Sequence, residues 1–195
     1  DALTILENLK HRGAEGADAQ SGDGAGILIQ IPHEFFCREC ETLGFSLPAE
    51  GEYGVGMIFA HRYEEFRKKQ MEAFSDIVRA EGLSILGWRD VPVDESLIGN
   101  IAKTTRPHFL QVFIQKSPSM TNQMDFERKL YIIRKLAEKA IVPISQEKGT
   151  DFYIASLSSR TIVYKGMLTS VQLRHFYLDL SDLDVTTSMA LVHSR

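Results

Sequence analysis

The 195-residue sequence has no apolar run near the roughly 20 residues that a membrane-spanning helix needs, and its first residues lack the basic-then-apolar layout of a signal peptide. It has little cysteine. Two thiols, Cys37 and Cys40, give no disulfide framework and suit a reducing compartment. It has no positive excess either: 22 Lys and Arg against 26 Asp and Glu leave a net charge of −4. Nothing in that balance offers the cationic field that nucleic acid or an anionic membrane surface selects. The six histidines show no H-E-x-x-H or H-x-x-x-H spacing, and there is no internal repeat or low-complexity tract, which removes helical histidine metal sites, solenoids and disordered linkers. These absences predict a cytoplasmic protein with neither nucleic-acid nor membrane partners.

What is present is an ordinary globular composition, 44% apolar and 25% charged, at a length that suits one domain. Ala2, Ile5, Leu6 and Leu9 have helical spacing from the first residues, and Met189 to Val192 is an apolar run that stops at His193-Ser194-Arg195 without a closing turn. Both ends are expected to be cuts through structured elements of something longer. Between them, His11 to Gly24 is a Gly/Ala/Asp loop, and strands are predicted at 25–31, 53–60, 83–88 and 109–114. Helices are predicted at 33–44, with Phe35, Phe36, Cys40 and Leu43 on one stripe, at 64–81, and at 95–103 behind an Asp94 cap. Another is predicted at 125–140, with Phe126, Leu130, Ile133, Leu136 and Ala137 inward. Residues 152–157 and 161–164 around Ser158-Ser159-Arg160 read as a hairpin, followed by a helix over 170–178 and a strand over 189–192. Alternation alone favours a doubly wound parallel sheet, against which the hairpin argues.

The candidate chemistry has bland competitors. Gly22-Asp23-Gly24-Ala25-Gly26 has the look of a phosphate loop, but such loops run from strand to helix, whereas this one leads from a helix into a strand. A turn that brings the chain close to another backbone is the better reading. Cys37 and Cys40 form a lone C-x-x-C inside a helix with no second pair, so Cys40 is expected in the core and no zinc site is expected. His11-Arg12-Gly13 and His193-Ser194-Arg195 each place a guanidinium at the end of an apolar element, where its planar fork suits a carboxylate; a surface Arg paired with any acid is the simpler alternative.

Taken in order, the segments resemble one family. Leu6-Glu7-Asn8-Leu9-Lys10-His11-Arg12-Gly13-Ala14 followed by Ser21-Gly22-Asp23-Gly24-Ala25-Gly26-Ile27-Leu28-Ile29-Gln30 is similar to the start of the class II glutamine amidotransferase domain of glutamate synthase large subunits. The similarity continues through Leu86 to Val93, Phe126 to Tyr131, Phe152 to Leu168 and Ala190 to Arg195. Tyr53 to Ala60 also fits, although the family usually continues with Leu-Pro where this chain has Ala60-His61, and Ser21 stands where Thr is commoner. The resemblance implies an α+β fold, a four-layer αββα sandwich of the N-terminal nucleophile type, incomplete here and with an α/β subdomain inserted over roughly 45–145.

It implies glutamine as substrate: an N-terminal Cys attacks the side-chain amide while its own α-amino group, with a pKa of about 7.7 to 8.0, moves the proton. An Asn and Gly pair forms the oxyanion hole. By the same resemblance the ammonia goes to synthase domains of the same chain, which use FMN and an iron–sulfur cluster, with a small electron-donating subunit as a possible further partner. Matched residue by residue, the nucleophile falls before Asp1, and neither Cys37 nor Cys40 corresponds to it. The oxyanion-hole pair falls beyond Arg195, so no catalytic residue is assigned and the isolated chain is expected to be inactive. Arg195 matches the grip on the substrate α-carboxylate, and His11, Arg12, Gly13, Asp23, Gly24 and Gly26 match a supporting turn near the site. No metal ligand and no cofactor site is expected within these residues. A non-catalytic homologue serving as a binding or scaffold domain, and a nucleotide-binding α/β domain, remain the alternatives.

Overall fold

The computed structural model describes residues 2–8, 22–145 and 152–194. Within them are six α-helices, seven strands and a 3-10 turn. They fall into two units, one built from the described residues of 1–32, 91–106 and 163–195, the other from 33–90 and 107–162.

The second unit is organised by two strands that cannot face water. Tyr53–Ala60 (β2) and His108–Gln115 (β4) are apolar almost throughout, and both are buried on both faces. They pair antiparallel from Tyr53↔Gln115 to Ala60↔His108. Ser84–Asp90 (β3) adds to the far side of β4 and Tyr153–Ser158 (β5) to the far side of β2, which gives the order β3-β4-β2-β5. Because side chains alternate along a strand, one face presents Ile58, Leu110, Val112 and Ile114. These pack with Phe74 and Val78 of Glu64–Ala80 (α3) and with Phe126, Leu130, Ile133 and Ala137 of Gln123–Ser145 (α5). The other face carries Phe113, which meets Phe36 of His33–Thr42 (α2) edge to face at a centroid separation of 5.3 Å. Arg89 is buried on that face; it donates to Glu39 Oε2 at 2.7 Å and to Gln111 Oε1 at 2.9 Å and lies over the Phe35 ring. A buried guanidinium persists only when its donors are occupied in this way.

The helix signals in this unit place their ends well. α2 and α3 are followed by Gly44 (φ +85°) and Gly82 (φ +77°), the left-handed residues expected after a C-terminus. Two inward assignments fail. Leu43 and Leu136 are exposed, because Leu43 lies past the last turn of α2 and Leu136 sits about 100° round the helix from the buried row Phe126, Leu130, Ile133, Ala137 and Ile141.

In the first unit, Ala2–Asn8 (α1) buries Leu6 and lies against Ala190–Ser194 (β7). Ala25–Gln30 (β1) is the middle strand of a sheet ordered β6-β1-β7, with β6 at Thr161–Gly166. β1 and β7 run antiparallel from Ala25↔Ser194 to Ile29↔Ala190. Gly22, Gly24 and Gly26 come against Leu168, Gly166 and Lys165, so one number falls as the other rises and β1 with β6 is also antiparallel.

The parallel, doubly wound sheet that alternation alone favoured is absent from the described residues: the structure is α+β with two antiparallel sheets, as the family resemblance implied. Three local expectations are corrected. Residues 152–157 and 161–164 do not form a hairpin, since β5 joins β2 in one sheet and β6 joins β1 in the other. The cause lies in the connection. Glu127 accepts the Ser159 backbone N–H at 2.6 Å and both serine hydroxyls, Ser159 Oγ at 2.5 Å and Ser158 Oγ at 3.1 Å, so the turn bonds to α5 rather than closing a ladder of its own. Finally, Asp94 does not cap a helix over 95–103. Its N–H donates to the Phe176 carbonyl, Val93 bridges Tyr177, and its carboxylate takes the Ser96 N–H in a local turn. The helix starts only at Asn100 and runs to Thr105 (α4). The expected helix over 170–178 is a shorter Gln172–Phe176 (α6), then the 3-10 turn Leu178–Ser181.

Candidate functional site

Of the residues assigned to the site, Asp23, Gly24 and Gly26 are described; His11, Arg12, Gly13 and Arg195 lie outside the described residues. The described three sit where β1 begins. Gly22 is buried, and a β-carbon on it would overlap the backbone carbonyl of Leu168. Gly24 has φ +143°, and a β-carbon on Gly26 would stand 2.9 Å from that of Lys165. Gly22 is thus needed for close approach of two backbones, as the sequence suggested, Gly26 for the Lys165 side chain and Gly24 for its φ, and the segment enters a strand rather than opening a helix that could cradle phosphate. Asp23 projects from this turn into solvent. The antiparallel register sets Ser194 opposite Ala25 and His193 opposite Gly26. The turn and the last described residues of β7 therefore stand at the same end of the sheet, and it is at that end that the sequence continues into Arg195.

A cavity of about 670 Å³ lies elsewhere in this unit. It is lined by Leu3, Ile27, Ile29, Arg174 and the segment from Leu180 to Ala190, with neither Asp23 nor the glycines among its lining residues. Ile27 and Ile29 point to the face of β1 opposite Gly26, so this hollow and the turn are separate features.

Both thiols sit where burial and neighbouring carboxylates disfavour the thiolate. Cys40 is fully buried, and burial pushes its thiol up to about 12. Cys37 is raised by its own burial and then by Glu34 and Glu41; its sulfur lies 3.5 Å from His33 Nε2, while His33 Nδ1 and the Tyr53 hydroxyl are hydrogen-bonded at 3.0 Å. Among the described residues no group of three or more His, Cys, Asp and Glu stands together as a metal site. Two protonated thiols on one helix also do not suit an iron–sulfur cluster, which takes four thiolates. The histidines are scattered: His61 buried, His108 on Asp90 at 2.6 Å, His175 and His193 exposed. No helix of the described residues is long and apolar enough to cross a membrane.

Sequence reasoning missed the buried groups behind the turn. Tyr164 on β6 donates to Asp179 Oδ2 at 2.8 Å, and Tyr177 donates to the Lys165 carbonyl at 2.8 Å. The only hint is the placement of Tyr and Asp inside otherwise apolar runs; the pairing across fifteen residues is a tertiary fact.

The family model for class II glutamine amidotransferases matches residues 1–195. Among curated proteins, the chain is 48% identical over 193 residues to "Glutamate synthase [NADPH] large chain" of Bacillus subtilis, covering 99% of this chain and 12% of that protein. It is 42% identical over 197 residues to "Ferredoxin-dependent glutamate synthase 2, chloroplastic" of Arabidopsis thaliana, covering all of this chain and 12% of that one. "Glutamate synthase [NADH]" of Schizosaccharomyces pombe is 39% identical over 200 residues, with 100% of this chain and 9% of the relative covered. The chain thus spans about a tenth of the length of these relatives. An antiparallel α+β framework, a glycine turn set beside the end of β7, and a family match along the whole sequence agree, and the chain belongs to the class II glutamine amidotransferases.

Proposed function

We propose that this chain is part of the glutaminase domain of a glutamate synthase. Glutamine and water give glutamate and ammonia, and the ammonia is consumed in the reductive amination of 2-oxoglutarate to a second glutamate. The observation that carries the reading is the family match over residues 1–195, joined to the register that brings the Asp23–Gly26 turn beside the end of β7. Arg195 holds the substrate α-carboxylate through two parallel charge-assisted bonds, a task its fixed fork performs and a lysine does not. Asp23, Gly24 and Gly26, with His11, Arg12 and Gly13, support that end of the site. The attacking thiolate, with its α-amino base, and the oxyanion hole come from residues outside these 195. Neither Cys37 nor Cys40 takes that role: neither matches the family's nucleophile position, and both lie within α2.

The electron-carrying chemistry, supplied by FMN and an iron–sulfur cluster when bound, belongs to other domains of the same chain, served by a small electron-donating subunit where one exists. We place the protein in the cytoplasm. For the whole domain we propose the four-layer αββα sandwich with an α/β insertion over roughly 45–145, which two antiparallel sheets support. The deciding experiment is Arg195→Lys in the full-length protein. The KM for glutamine should rise about thirtyfold, the equivalent of about 2 kcal/mol, while ammonia-dependent glutamate formation stays within about twofold. Unchanged glutamine kinetics would remove Arg195 from the site. A full-length wild type that never consumes glutamine would favour a non-catalytic scaffold instead.

A further inference from the structure

Behind the glycine turn lies a polar network that glutamine hydrolysis does not itself require. Tyr164 and Tyr177 are fully buried and Asp179 is 2% exposed. The two rings meet edge to face at a centroid separation of 5.2 Å. Their hydroxyls donate to Asp179 Oδ2 and to the Lys165 carbonyl, each at 2.8 Å. Burying two hydroxyls and a carboxylate is costly unless every one is bonded, so an apolar cluster would hold the fold at least as well. What the polar version adds is direction. Both bonds begin or end on consecutive β6 residues, Tyr164 and Lys165, and fix that strand along its own axis.

The stretch they fix is the one the turn leans on. Gly26 approaches Lys165, Gly24 approaches Gly166, and Gly22 lies against the Leu168 backbone. β1 passes the constraint across the sheet, since it lies between β6 and β7 and pairs Ala25 with Ser194. Tyr177 is itself anchored by its backbone bridge to Val93. Burial, and then the nearby Asp179, hold its phenol well above the ordinary value, so it stays a donor.

We infer that Asp179, Tyr164 and Tyr177 are positioning residues for glutamine binding: they clamp β6 so that the Gly22–Gly26 turn and the end of β7 present one fixed geometry to the substrate. The inference rests on the reading that this turn flanks the glutamine site.

The test uses the full-length protein and measures glutamine-dependent and ammonia-dependent glutamate formation together with the thermal midpoint. Tyr164→Phe and Asp179→Ala should each raise the KM for glutamine about tenfold, the effect of losing one hydrogen bond to a charged acceptor. The kcat at saturating glutamine and the ammonia-dependent rate should change less than about twofold. Asp179→Asn should recover most of the loss, because its amide oxygen still accepts from Tyr164. Tyr53→Phe is the control for structure alone: Tyr53 is equally buried, with its hydroxyl on His33 at 3.0 Å, but belongs to the other unit. It should lower the thermal midpoint without moving the glutamine KM.

An unchanged KM in folded Tyr164→Phe overturns the inference, as does a Tyr53→Phe that raises KM as much. If Asp179→Ala does not fold, Tyr164→Phe, which removes a single oxygen, decides alone. A wild type that uses no glutamine would overturn the underlying reading and the clamp with it, whereas wild-type KM in the clamp variants of a glutamine-using enzyme overturns only the clamp.

Discussion

Cys40 shows how far one burial carries. Its position on the apolar stripe of α2 was legible from spacing, and in the fold its thiol titrates only at about 12. The folded value lies above the ordinary thiol value of about 8.5, so the folded state holds this proton more tightly. The associated stability is complete below that ordinary value and is lost as pH rises through the folded one. Burial raises Tyr53 in the same direction. Two measurements check this: at pH 8 a soluble maleimide should label Cys37 but leave Cys40 untouched until denaturant is added, and the thermal midpoint should fall steadily above about pH 9. Rapid labelling of Cys40 in the folded protein would contradict its burial. Periodicity identified Cys40 but overreached at Leu43 and Leu136, because a stripe gives a direction and not the point where a helix stops being covered.

At the scale of elements, every predicted strand core appears, with ends shifted by a residue or two, while partners were misjudged. Alternation and a short polar turn say that β5 and β6 are near in sequence; they cannot say that Glu127, 32 residues before Ser159 on α5, takes the bonds at that turn. The same holds at Asp94, whose backbone N–H is taken by the Phe176 carbonyl. The glycine turn went the other way, since the direction of its flanking elements excluded phosphate and left close approach. Gly22→Ala should therefore destabilise the fold by about 2–3 kcal/mol, because the obstacle is the Leu168 backbone and not a movable side chain. Gly44→Ala, with open space and φ +85°, should cost only the left-handed penalty of about 1 kcal/mol. Urea denaturation of both variants tests the ranking, and equal losses would show that conformation rather than crowding governs the turn.

For the whole molecule, composition excluded classes but did not choose between parallel and antiparallel sheets; the order of family motifs did. The proposed site residues were assigned only through that order, because Arg195 and the His11 segment carry no local signature beyond a guanidinium beside an apolar element. The buried pairing of Tyr164 with Asp179 was not legible beyond the presence of Tyr and Asp inside apolar runs. The burial pattern also predicts uneven opening. β4 is buried on both faces and flanked by strands on both sides, whereas β7 alternates between half-buried and exposed. Hydrogen exchange should be slowest at the amides of Leu110 to Ile114 and distinctly faster at Ala190 to Ser194. Comparable protection in the two strands would contradict this picture.

The contact of Gly22 with the Leu168 backbone reaches into heredity. Every missense change of a single nucleotide in a glycine codon installs an amino acid that begins with a β-carbon, whether small, charged or aromatic. At this position there is consequently no conservative neighbour for drift to pass through. A saturation library sorted for folded protein should return Gly22 as a one-letter site, while Asp23 beside it, exposed, accepts a broad alphabet in that sort.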